Sequence, residues 1–323
     1  MAVRKNIVSN ASARDNYVKG VKLLKAEPSG TSTGSLGIPG PGKNLSTYDL
    51  FIVMHHWAMM AFTPSTQSER NAAHSGPAFL PWHRWMLIQF EAQLQRMLSD
   101  SSFGLPYWNW AADGERPKAQ QQNAPLWKPS CIGGDGDPAA NRAVQTGPFS
   151  AGSGWRVELA ADVNGVLRSV HRPLRRQFDP ATGLPTKTQV GQALNQPHYD
   201  QPPWNSTSSA FRDRLEGWVP PASAPHLHNR VHVFVGGDML VSSSPNDPVF
   251  FLNHCNVDRI WAAWQKKYPS EPYRPEQSAP ASLFRHRIED PMYSMFAAGT
   301  NGPPPRQMLD VSALYSYGSL SVS

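Results

Sequence analysis

Four stretches of the chain carry apolar residues at helical spacing, and each brings histidine to that helix. In the first, Leu50, Phe51, Val53, Met54, Trp57 and Ala58 run past His55 and His56. Ser46, followed three residues later by Asp49, sets its start as a variant of the capping box. In the second, Pro81 opens a helix with His83 in its first turn, continued by Trp85, Ile88, Phe90, Leu94 and Leu98. The third holds His228 and His232. The fourth, with Asp247 as N-cap and Pro248 at its first position, runs past His254 to about Lys267. A polar loop, 63–78, joins the first two and holds His74.

Elsewhere the pattern is weaker. Residues 3–27 show a weakly amphipathic helical pattern (Val18, Val21, Leu24), and 29–43, rich in Gly, Ser, Thr and Pro, read as a flexible loop. Residues 111–210 lack clear periodicity. Short strands are expected at 155–160 and 165–170, the second after a turn at Asn164-Gly165. This segment reads as a loop-rich insertion packed on the helical core. Phe211 to Trp218 is helical, 219–225 is a Pro-rich loop, and the tail 268–323 is mostly irregular. The expected architecture is mainly α: a four-helix bundle with long irregular loops and a few short β-strands, forming one domain over 1–323 with its core at about 44–267.

Composition narrows the function classes. With 40% hydrophobic residues, 17% charged residues and 11 Trp, the chain has the material for a large aromatic core. A net charge of +6 comes from scattered Lys and Arg, and no basic run beyond Arg172 to Arg176 suggests nucleic acid. No apolar run is long enough to span a membrane. The short, polar start lacks a signal peptide of its own, which points to the cytoplasm or to export with a partner carrying the signal. Two cysteines, Cys131 in a Gly/Asp loop and Cys255 in an apolar helix, indicate neither a disulfide framework nor a Cys-based zinc site.

Histidines four apart on a helix share a face, so His228 and His232 can grip one metal ion. Alone, that pair reads more plainly as structural or accidental; the upstream set His55, His74 and His83 changes the balance. A carboxylate-bridged di-iron or di-manganese bundle would need Glu-x-x-His pairs, which these helices lack. A zinc-protease helix would need Glu where Asn229 stands. Zinc in another role stays open, but an all-imidazole set suits copper.

The run from His74 through Phe79 and Trp82 to Arg84 resembles the first copper motif of the tyrosinase family. Leu227 to Gly237 with Ser244 to Trp261 resembles the second. Leu105 to Trp110 and Phe211 to Trp218 are similar to the bacterial, Streptomyces-type members. The resemblance, from about 44 to 267, implies a dinuclear type-3 copper centre in the bundle. One copper would fall to His55, His74 and His83, and the other to His228, His232 and His254. His56 is the weaker candidate for the first ligand, while His171, His198 and His286 fall in irregular or polar stretches where a surface role is expected. Glu216 and Asn229 match a pair that positions a water to deprotonate an incoming phenol. Asp258 is placed to hold an imidazole N–H, Phe79 and Phe250 to pack around the ligands, and His226, Val233, Val241 and Ser242 to form the substrate rim.

The activity implied is oxidation of o-diphenols, and of monophenols, to o-quinones with dioxygen as co-substrate. The alternative is an o-aminophenol oxidase yielding quinone imines, and a remote one is a dioxygen carrier. Bacterial relatives often need a copper-delivery caddie protein, which is the implied partner besides a small phenolic or aminophenolic substrate. Three features depart from the pattern. Val219 to Leu227 is longer than usual. His226 makes a His-x-His-x-x-x-His run, as a nearby base, a rim residue or an exposed side chain. Asn253 stands where a His usually precedes the last ligand.

Overall fold

The computed structural model describes residues 1–218, 226–294 and 301–321. Strand β1 (Ala2–Arg4) precedes helix α1 (Ala11–Ala26), which starts at Asn10, whose side chain accepts the Ala13 N–H. The helix expected over 3–27 is thus shorter, with Arg4 drawn into a strand by partners at the far end of the chain. The expected flexible loop after it is also corrected. Strand β2 (Pro28–Ser32) pairs antiparallel with β3 (Asn44–Ser46), so the Gly/Pro-rich stretch closes an ordered hairpin.

Helix α2 (Thr47–Met60) begins with the full capping box: Ser46 and Asp49 each accept the other's backbone N–H. Helix α3 (Phe79–Leu98) starts two residues before Pro81. At Gly20, an added Cβ would lie 2.9 Å from Leu94, so the glycine lets α1 settle onto α3. Two short helices, α4 (Trp110–Gly114) and α5 (Lys118–Gln121), lead to strand pairs β4 (Gly136–Asp137) with β5 (Ala143–Val144) and β6 (Val157–Ala161) with β7 (Leu167–Arg172). The β6–β7 turn is the one expected at Asn164-Gly165, with Gly165 at φ +74°.

Helices α6 (Lys187–Leu194) and α7 (Phe211–Glu216) follow, then α8 (Leu227–Val235) and α9 (Val249–Lys267). The loop read at 219–225, and with it most of the lengthened Val219–Leu227 stretch, lies outside the described residues. The N-cap of α9 is Pro248, one residue after the expected Asp247, which still accepts the Val249 N–H at 3.1 Å while both its oxygens also meet the buried Arg176. Helices α2, α3, α8 and α9 are the four that carry the histidine sets. Tyr48 Oη on α2 and Tyr17 Oη on α1 donate to the carbonyls of Pro245 and Pro248, fixing the start of α9 against both helices.

The chain's two ends meet beneath this bundle, where β1 pairs parallel with β8 (Tyr315–Tyr317). Arg4 there reaches Glu91 on α3 at 2.9 Å and Asp258 on α9 at 3.1 Å. Arg84, Tyr315 and Tyr317 also converge on Asp258. Burial alone would raise the Asp258 carboxyl, but Arg84 and Arg4 outweigh it and hold it below the usual range.

Candidate metal centre

The six histidines come together as two triplets. One joins His55 (α2), His74 (the 63–78 loop) and His83 (α3); the other joins His228 and His232 (α8) with His254 (α9). Within each set one nitrogen per residue lies within 4.8 Å of the others. The sets face each other, with the His83 and His254 rings stacked 4.2 Å apart.

Oxygen acceptors orient four of the rings. His55 Nδ1 meets the Ser242 carbonyl at 2.7 Å, His83 Nδ1 the Phe79 carbonyl at 2.8 Å, and His232 Nδ1 the Met239 carbonyl at 2.7 Å. His228 Nδ1 lies 3.2 Å from the Glu216 carbonyl and 3.0 Å from Asn229 Oδ1. A carbonyl can only accept, so each Nδ1 carries the proton and leaves the Nε2 lone pair bare. His55 Nε2 and His83 Nε2 are buried with no partner. Nε2 of His228 stands 3.0 Å from that of His232 and 3.1 Å from that of His254, so the three ring nitrogens converge on one point. His74 Nδ1 and His254 Nδ1 are also buried without partners.

Burial holds these imidazoles neutral. It takes His55 to about 3 and His232 to about 4, and depresses His74, His83, His228 and His254 well below 6.5, with neighbouring imidazoles adding to the effect in the last four. Neutral imidazoles with unsatisfied nitrogens, and no carboxylate or thiolate in either triplet, fit copper. Phe79 packs 4.9 Å from His83 and 5.0 Å from His228, and Phe250 packs 4.9 Å from His55 and 4.1 Å from His254, centroid to centroid.

Above the triplets opens a cavity of about 540 Å³, whose walls include Glu216, Asn229, Val233 and Val241. Glu216 ends α7, and Gly217 turns the chain there at φ +117°. An added Cβ would lie 2.2 Å from the His226 carbonyl and 2.8 Å from Asn229, so only glycine lets α7 end so near α8. Glu216 Oε1 accepts the Ser75 N–H at 2.6 Å and Oε2 an Arg212 N–H at 3.1 Å. Burial raises its carboxyl despite the opposing Arg212 and Ser75.

Several expectations need correction. Asp258 holds no imidazole, because Arg4, Arg84 and the two tyrosines occupy it. Ser242 is not on the cavity wall; its carbonyl orients His55 and its hydroxyl meets His56 Nδ1 at 2.8 Å. That contact places His56 outside the triplet. His226 is half-buried beside the wall rather than part of it, and its N–H donates to the Gly217 carbonyl. His171 and His198 are exposed and paired with Glu158 and Glu271. His286 is instead fully buried. Its Nε2 lies 2.7 Å from Thr63 Oγ1, and its Nδ1 accepts the Ala78 N–H at 3.3 Å, so the tail braces the His74 loop at both ends. Asn253 is buried with neither amide atom partnered.

Other contributors escape sequence reasoning. Arg212, fully buried, joins Asp200, Asp213 and Glu216 under the cavity. Asn71 Oδ1 accepts the N–H of Ala73 and of His74, shaping the ligand loop; Asn three residues before His74 is a turn signal that was available.

The family description "Common central domain of tyrosinase" matches residues 45–267. The chain is 36% identical over 276 residues to a tyrosinase of Streptomyces antibioticus, covering 85% of this chain and 90% of that protein. It is 38% identical over 250 residues to grixazone synthase of Streptomyces griseus, covering 72% and 79%. Among solved structures, a polyphenol oxidase from Thermothelomyces thermophila superposes with a TM-score of 0.71 at 24% identity, over 99% of this chain and 89% of that one. A functional unit of octopus hemocyanin shares the fold with a TM-score of 0.56 at 19% identity, over 99% and 69%.

Proposed function

The chain belongs to the tyrosinase family, and from that membership we propose that His55, His74 and His83 hold one copper ion and His228, His232 and His254 a second. The protein is a copper oxidoreductase of the phenol-oxidising kind. The reading is that it converts o-diphenols and monophenols to o-quinones, with dioxygen as co-substrate and residues 1–323 as one catalytic unit. The observation that carries it is the pair of opposed, neutral imidazole triplets at the floor of a cavity large enough for a phenol ring. That room beside the triplets favours an enzyme over a dioxygen carrier, which must keep phenols away from its metal.

Copper at this centre supplies dioxygen binding and the two-electron oxidation. The protein's residues manage the substrate's proton. A phenol has a pKa near 10 and must lose its proton to become a good metal donor. Asn229, with its oxygen engaged at His228 Nδ1, has its NH₂ left to position a water at the wall it shares with Glu216. Through that water the phenol proton passes to Glu216, whose burial-raised carboxyl is the better acceptor for it. Phe79 and Phe250 keep the ring nitrogens dry and in place.

Oxygen uptake by the copper-loaded protein, compared for tyramine, the matching catechol and an o-aminophenol, tests this reading. Uptake with all of them, the monophenol after at most a short lag, is expected; uptake only with the o-aminophenol favours the second reading, supported by the similarity to grixazone synthase. Glu216→Gln lowers monophenol kcat/KM by about 10²-fold while sparing the catechol; equal losses on both contradict the proton role.

The proposal extends to a copper-delivery caddie protein. Its support is an exposed apolar group around the cavity: Leu240 on the wall, and Met60 and Phe62 at the end of α2, with Phe62 bridged to the wall residue Asn71. Among the described residues no helix is long and apolar enough to cross a membrane. Co-expression with such a partner raises copper content in the wild type more than in a Phe62→Asp variant; equal gains contradict the docking site.

A further inference from the structure

The cavity wall is chemically one-sided. Met59, Trp218, Val233, Met239 and Leu240 supply an apolar surface, and among the described residues no lysine or arginine lines it. Residues 219–225, Val-Pro-Pro-Ala-Ser-Ala-Pro, contain no ionisable side chain that could add one. Guanidinium groups on flanking elements are engaged elsewhere, and Arg70, next to the wall residue Asn71, donates to the Ser282 carbonyl. Arg212 is fully buried beneath Glu216 and faces three carboxylates, those of Asp200, Asp213 and Glu216. Arg230, next to Asn229 on α8, donates to the Thr182 and Gly183 carbonyls, and Arg214 to the Ser209 carbonyl.

A substrate whose ring carries a carboxylate would therefore bring an anion against an apolar wall that offers it no lysine or arginine, while the copper ions at the floor would be taken by the phenolic end of the ring. A charge that sheds water against such a wall without gaining a partner is disfavoured. We infer that this enzyme selects phenolic or aminophenolic rings bearing an uncharged substituent and discriminates against ring-borne carboxylates. The inference rests on the phenol-oxidising reading and specifies its substrate class.

The decisive comparison is hydrocaffeic acid against its methyl ester, two catechols that differ in one charge. At neutral pH the ester is expected to have the higher kcat/KM by at least about tenfold, equivalent to ~1.4 kcal/mol. A turnover-free readout is calorimetric binding of hydrocinnamate and hydrocinnamamide, which cannot be oxidised as catechols, to the metal-free protein; the amide binds more tightly. Leu240→Arg, at a wall position 58% exposed and so able to accept a long side chain, shifts both ratios toward the acid by at least about fivefold.

Equal kcat/KM for acid and ester overturns the inference while leaving the phenol-oxidising reading intact. Failure to oxidise either one, with two coppers bound, removes that reading and the inference with it. A preference for the ester in turnover with equal binding of the carboxylate and amide places the discrimination outside the cavity walls and also overturns it.

Discussion

Acidifying the metal-free protein from about pH 7.5 to about pH 5.5 removes several kcal/mol of its folding free energy. Burial holds His55 and His286 at about 3 and His232 at about 4, against an unfolded value near 6.5. A histidine depressed in the folded state takes its proton first in the unfolded chain. Its stabilising contribution is therefore complete above about pH 6.5 and is lost as the pH falls toward the folded value. At about pH 5.5 an unfolded imidazole is ~90% protonated and these three folded ones are almost entirely neutral. Each then costs about 1.4 kcal/mol, and the three together ~4 kcal/mol. His74, His83, His228 and His254 shift in the same direction and enlarge the loss. Domains are stable by ~5–15 kcal/mol, so the effect is a large fraction of the total. Urea unfolding in the presence of a chelator, followed by circular dichroism across this range, measures it directly. The slope these three contribute near pH 5.5 is ~4 kcal/mol per pH unit, from which Asp213, raised by burial to about 7, takes back about 1.4. His286→Gln lowers the slope by about one proton's worth without removing a member of either triplet. A stability that stays flat over this range refutes the reading of the histidines as buried and neutral.

Other perturbations follow from the same geometry. Arg212→Met leaves Asp200, Asp213 and Glu216 without the cation they share and costs ~3–5 kcal/mol in denaturant unfolding; a neutral result contradicts the shared-cation description. Gly217→Ala forces a side chain into positive φ against the His226 carbonyl. It costs upwards of ~1–3 kcal/mol and depresses monophenol turnover more than catechol turnover, and an unchanged ratio contradicts the link to Glu216. Ser242→Ala removes the hydroxyl at His56 but keeps the carbonyl at His55. It lowers stability by ~1 kcal/mol with copper content unchanged; loss of one copper would show that His56 matters to the site.

Local signals in the chain were legible where partners are near in sequence. The Ser46–Asp49 capping box spans three residues and forms as read. The His228/His232 spacing put both rings on one face, and the turn at Asn164-Gly165 joins two strands that pair across it. The six histidines meet as the family resemblance implied. What escaped depends on distant partners. Asp258 looked available to an imidazole one turn away, but Arg4, 254 residues earlier, and two tyrosines near the other end occupy it. His286 lies in a Pro-rich tail that suggested the surface, yet the start of α3 has no side-chain cap of its own and takes this imidazole as its acceptor. Residues 29–43 looked flexible by composition because the strand that closes them, β3, begins only at Asn44. The carbonyl of Ser242 has no side-chain signature, so its hold on His55 was invisible.

The most direct measurement is a copper titration of the metal-free protein with oxygen uptake on a catechol recorded at each step. Two opposed triplets acting as one centre predict uptake that rises mainly with the second equivalent and saturates at two coppers per chain. Saturation at one copper, or no uptake with two bound, would contradict the assignment of both triplets to a single oxidising centre.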